Sequence, residues 1–111
     1  MTYKRLNNMT GMDPLLNRRI SSIFLNEFEA FLKTLSELPN HENGDVFQFS
    51  LHKIRSSLVI FELDSVIKLY DKLSTRKREG EEISQDDSEL LFALDETKKN
   101  IEKVGEFLAN L

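Results

Sequence analysis

The chain predicts an all-α fold, and within it an up-down antiparallel four-helix bundle with a short N-terminal lead-in helix. Three observations lead there. Apolar residues recur every three or four positions along most of the 111 residues, the spacing of one helix face. No segment shows the strict alternation of a half-buried strand. The helix-breaking residues fall at a few places only, and the short connections they leave favour antiparallel neighbours. A chain of this length holds one domain, 1–111, around one core.

Each element follows from its own pattern. Tyr3, Leu6 and Met9 suit a short lead-in helix covering one end. From Asp13 to Leu38, the residues Leu16, Ile20, Phe24, Phe28, Phe31, Leu35 and Leu38 form one stripe. Asp13 is a suitable N-cap and Pro14 suits the first helical position. Pro39 and the polar run Asn40 to Gly44 end that helix in a loop, where His41 reads as a surface residue. A second helix starts at Asp45 with Phe47, Leu51, Ile54, Leu58 and Phe61 inward. Asp64 then caps a third, with Val66, Leu69, Tyr70 and Leu73 inward. Ser74 to Glu82, charged and containing Gly80, reads as a helix end plus a loop. The last helix starts near Ser84 and repeats Leu90, Leu94, Thr97, Ile101, Val104, Leu108 and Leu111.

Composition removes several function classes. Without Cys there are no disulfides, thiolate metal sites or Cys nucleophiles. Two histidines are too few for a His-built metal centre, and the Glu-x-x-His motif of di-metal bundles does not occur, so no metal is expected. Gly11, Gly44, Gly80 and Gly105 are scattered and form no phosphate-binding loop. No apolar run approaches the ~20 residues of a membrane span, and the N-terminus lacks an apolar signal segment, so a cytoplasmic protein without membrane contact is expected. The net charge is −4, divided unevenly. Residues 1–20 carry four basic residues against one acidic, and residues 79–111 carry ten acidic against three basic. The densest basic cluster, Arg76 to Arg78, is followed at once by Glu79, Glu81 and Glu82, which argues against nucleic acid as a partner.

His52 is the informative residue. At about 100° per residue it points roughly 150° away from the inward stripe of its helix. The same outer strip carries Phe49, Ser56, Val59 and Ile60. Its large apolar residues either pack on neighbouring helices or form an exposed docking patch. Arg55 and Ser56 follow His52 by three and four residues and flank it on one side of the helix. A cation there can neutralise phosphate oxygens and a hydroxyl can donate to them. Free imidazole has a pKa of about 6.5, so its neutral, nucleophilic form is abundant near physiological pH.

The stretch Leu51-His52-Lys53-Ile54-Arg55-Ser56-Ser57-Leu58 resembles the signature of histidine-containing phosphotransfer (HPt) domains. There a helical His is followed by an apolar residue at +2, a cation at +3, usually Gly at +4 and a small residue at +5. The likeness continues through Phe61, Leu63, Val66, Leu69, Tyr70 and Leu73, and upstream through YKRLNNMTGMD at positions 3–13. Three positions depart from the pattern: Leu51 where Ala is frequent, Ser56 in place of Gly, and Glu62 at a turn often held by Gly. A histidine-kinase dimerisation helix fits less well, because Lys53 follows the His where that family carries an acidic residue.

The resemblance implies a phosphorelay intermediate that is not itself an enzyme. A receiver's aspartyl phosphate would pass its phosphoryl group to His52, and a second receiver's Asp would take it. Arg55 and Ser56 would form the phosphate environment, and Gln48, Phe49, Lys53 and Val59 the receiver-docking surface. The chain would need no cofactor, the Mg²⁺ being supplied by the receiver. Its partners would be response-regulator receiver domains and a hybrid histidine kinase, met in trans by a monomer. The alternative is a pseudo-HPt adaptor that binds a receiver or kinase without phosphotransfer.

Overall fold

The computed structural model describes residues 3–40 and 44–111; His41 lies outside them. Five α-helices follow in order: α1 (Lys4–Thr10), α2 (Pro14–Ser36), α3 (Asp45–Ile60), α4 (Asp64–Arg78) and α5 (Ser88–Ala109). A single 3₁₀ turn, Leu38–Asn40, follows α2. No strand occurs among the described residues. The molecule measures 45 × 20 × 19 Å. Helix α2 packs against both α3 and α5, and α4 also packs against both, so each of these four has two of the others as neighbours. Helix α1 rests on α2.

An aromatic cluster fills the interior. Phe24 stacks on Phe28 at 5.0 Å and on Phe61 at 4.3 Å between ring centroids. Phe31 meets Phe47 at 5.5 Å and the edge of Tyr70 at 4.8 Å. All of them are buried, each contributing about 1.5–3 kcal/mol of transfer free energy relative to exposure. The Tyr70 hydroxyl is paired with Thr97 Oγ1, which donates in turn to the Ala93 carbonyl. Burial pushes the Tyr70 hydroxyl up to about 12, so it stays a neutral donor.

Most of the expected caps and buried stripes are present, and a few positions differ. Asp13 caps α2 as expected, accepting from the Leu15 and Leu16 amides at 2.9 and 3.4 Å. All five inward residues of α3 and its following turn are buried. At the start of α2, however, Leu16 is 40% exposed and Ile20 only partly buried, while Asn17 and Ser21 are buried. The cause is α1: Asn17 accepts from the Thr10 hydroxyl and donates to Asn7 Oδ1, so a polar residue faces the lead-in helix where an apolar one was expected. Helix α2 stops at Ser36 instead of Leu38, because the residue before Pro39 is disfavoured in a helix. Leu38 still reaches the core from the 3₁₀ turn.

Two boundaries differ as well. Asp64 is the first helical residue of α4 and not its cap; Leu63 holds the cap position, and the Asp64 carboxylate accepts from Arg5 at 2.9 Å instead. The helix end and loop expected over 74–82 are found as such: the helix runs to Arg78, with Ser74 and Lys77 buried, and the loop begins at Glu79. Helix α5 begins at Ser88, four residues later than Ser84, because Asp87 is its cap, accepting from the Glu89 and Leu90 amides at 3.0 and 3.1 Å. Along α5 the buried line runs through Leu90, Ala93, Thr97, Asn100 and Val104, with Leu94, Ile101, Leu108 and Leu111 at its partly exposed flank.

Asp87 is also an electrostatic anchor. Arg76 reaches across from α4 and donates to both Asp87 oxygens, at 3.0 and 2.6 Å, and to Glu89 at 2.8 Å, with Glu81 beside them. The Arg76 side chain is only 18% exposed. Hydrogen bonding from Arg76 outweighs burial and, with the two backbone amides, holds the Asp87 carboxyl down at about 2, against 3.8 for a free Asp. A depressed carboxyl stabilises the fold fully above the unfolded value and loses that contribution as pH falls through the folded one. Asn caps a helix as well as Asp does, so Asp87→Asn isolates the ion pair. The expected cost is on the order of 1–2 kcal/mol at pH 7, shrinking towards zero near pH 2. Urea unfolding at several pH values checks this, and a gap that does not change with pH contradicts it.

Candidate functional site

The inner stripe of α3 fixes what its outer face can show. With Phe47, Leu51, Ile54 and Leu58 buried, His52, Lys53, Ser56 and Gln48 are carried to the surface. Phe49 is 71% exposed and Val59 40%. Of the two fates open to the apolar residues of this strip, Phe49 and Val59 are surface and Ile60 packs against the core.

His52 lines a cleft of about 160 Å³ between α3 and α4, together with Gln48, Leu51, Arg55, Asp71, Ser74 and Arg78. That is room for roughly five waters at ~30 Å³ each, or for one tetrahedral anion with its hydration. The start of α3 lies close against the end of α4: a Cβ at Gly44 would stand 3.4 Å from Lys77 Cβ and Arg78 Cγ, at van der Waals contact.

The expected site residues do not all converge. Arg55 lines the cleft, but its guanidinium is forked onto the Asp71 carboxylate, Nη1 at 3.3 Å from Oδ2 and Nη2 on Oδ1. The hydrogen bond to Asp71 holds the Arg55 guanidinium above its usual pKa, against burial, and the Coulombic attraction to Asp71 adds least. Both side chains remain partly exposed, 42% and 48%, so the pair is screened and its stabilising effect small. Gln48 shares the cleft with His52, one helical turn away. Ser56 is exposed and is not among the residues that line the cleft. Lys53 turns to the other side of α3, into a groove of about 150 Å³ shared with Glu27, Ala30, Phe31, Thr34, Ser50 and Ile54. Val59 stands towards α1, its carbonyl accepting from Arg5 at 2.9 Å.

Asp71, Ser74 and Arg78 were not anticipated. They recur at three and four residues on α4, a helical spacing legible in the sequence, but only the packing of α4 on α3 sets them opposite His52. The basic cluster at the end of α4 separates into three roles. Arg76 is absorbed by carboxylates, Lys77 is buried, and Arg78 faces the cleft. Among the described residues Arg78 makes one hydrogen bond, to Thr75 Oγ1 at 3.4 Å, and no ion pair. The cleft therefore presents an exposed imidazole, one cation held by a carboxylate within the cleft and one cation without a carboxylate among the described residues.

Among the described residues no three His, Asp or Glu side chains gather to hold a metal ion. No helix there is long and apolar enough to cross a membrane. No family model matches the chain, and no curated protein or solved structure does either.

The division between inner and outer faces of α3 is testable by truncation. Phe49→Ala should change unfolding free energy by less than about 0.5 kcal/mol, whereas Leu51→Ala, two residues on, should cost about 2–5 kcal/mol. Similar losses for both in urea titrations would place Phe49 in the core.

Proposed function

We propose that this chain is a phosphoryl carrier of the histidine-containing phosphotransfer type, built as an up-down four-helix bundle of α2 to α5 with α1 as its lead-in. The observation that carries the reading is the cleft: an exposed imidazole in the middle of a core helix, with two guanidinium groups beside it and exposed apolar residues on the same helix. The pattern around positions 51–58 supports it from the sequence side.

In this reading a ring nitrogen of His52 attacks the phosphorus of a receiver's aspartyl phosphate. The P–O bond breaks, the receiver's carboxylate is regenerated, an N–P bond forms and the exposed imidazole gives up a proton to solvent. The chain contributes nucleophile, cations and docking face; Mg²⁺ belongs to the receiver. Positioning and charge neutralisation account for most of such a transfer. Phe49 and Val59 would contribute apolar contact to the docked receiver, with Gln48 and Lys53 at the rim. The partners are receiver domains of response regulators and of a hybrid histidine kinase, and the setting is the cytoplasm.

One observation favours an adaptor that binds without transfer: the cation at +3, Arg55, is already paired with Asp71. Transfer from a panel of phosphorylated receiver domains separates the two. The carrier reading expects acid-labile label on the wild type and none on His52→Gln. It also expects Phe49→Ala to weaken receiver binding about tenfold while helicity is kept. Binding that is equal in wild type and His52→Gln, with no label on either, would establish the adaptor.

A further inference from the structure

The Arg55–Asp71 pair lies in the same cleft as His52, and this placement has a chemical consequence. A phosphoryl group on the imidazole adds nearly two negative charges to a space whose lining already contains the Asp71 carboxylate. Arg55 is the cation of the same helix that shares this cleft, yet both of its outer nitrogens are committed to Asp71. Arg78 remains, without an ion pair among the described residues.

We propose that Asp71 is a built-in competing anion that keeps phospho-His52 poorly neutralised and so tunes the chain towards giving its phosphoryl group away. The inference rests on the phosphoryl-acceptor reading of His52 and adds to it a positioning residue that acts through Arg55. In the free protein Asp71 holds Arg55. In the phosphorylated protein the phosphoryl oxygens and the carboxylate contend for the same guanidinium, and whichever loses is left facing a like charge. Either outcome raises the free energy of the phosphorylated form relative to a cleft lacking the carboxylate. A carrier needs such a balance, because a phosphoryl group held too firmly would not pass on. Arg78 supplies the attraction that remains.

The test uses the full chain and a small phosphodonor, potassium phosphoramidate, so that no receiver is required. A His52 ring nitrogen attacks phosphorus, the donor's P–N bond breaks, and ammonia leaves with the proton that the imidazole gives up. Label on His52 is the difference between each protein and the same protein carrying His52→Gln, which removes any contribution from His41. Asp71→Asn keeps the side-chain shape and removes the charge. It should raise the steady-state phosphohistidine, read by ³¹P NMR, and lengthen its half-life after donor removal, each by about fivefold for one partly screened unit charge. Asp71→Glu, which keeps the carboxylate, should return both to the wild-type values. Wild type and Asp71→Asn alike in level and lifetime, or a lower level in the variant with helical circular dichroism retained, would overturn this inference and leave His52 as acceptor. Absence of His52-dependent label on the wild type would overturn the acceptor reading itself.

Discussion

The aromatic packing between α2, α3 and α4 is the constraint on which the rest depends. Phe31 touches Phe47 and Tyr70, and Phe24 touches Phe61, so three helices are locked in rotation by a few ring contacts. Once Phe47, Leu51, Ile54, Leu58 and Phe61 face inward, α3 has no freedom left about its own axis. His52 must then be outside, beside α4, and Phe49 must face solvent. The surface chemistry of α3 is thus a consequence of its core side.

Charge organises the other half of the molecule. Three cations end α4, and their different fates follow from helix geometry at about 100° per residue. Arg76 points to the loop before α5 and ties Asp87, Glu81 and Glu89 together, fixing where α5 begins. Lys77 is turned inward beside Gly44, and Arg78 turns towards α3. One helix end therefore anchors the fold with one residue and lines the His52 cleft with another. Arg5 does a comparable task at the opposite end, joining α1 to the Val59 carbonyl and to Asp64.

Much of this was legible in the sequence, for a physical reason. Periodicity reports which face of a helix is buried, so the five inward residues of α3, the Asp13 cap and the outward position of His52 could all be read without coordinates. Periodicity does not report how one helix is registered against the next. That is why Asp71, Ser74 and Arg78 were invisible as neighbours of His52, and with them the pairing of Arg55 with Asp71. The misplaced boundaries have the same origin. Asp64 and Ser84 are good capping residues in isolation, but Arg5 claims the first carboxylate and Arg76 places the competing cap, Asp87, where α5 starts. At Asn17 the fault is different: a helix that buries polar residues against a lead-in segment defeats a rule that counts only apolar ones.

The proposed phosphoryl transfer belongs to the α3–α4 cleft at His52. The most direct measurement is ¹⁵N-resolved NMR of the full chain before and after phosphoryl transfer from a cognate receiver. A phosphohistidine signal assigned to His52 is expected, with amide and side-chain shifts concentrated at Gln48, Leu51, Arg55, Asp71, Ser74 and Arg78. Little change is expected in the Arg76 cluster or the aromatic core. Phosphate on another residue, or shifts centred away from that cleft, would contradict it.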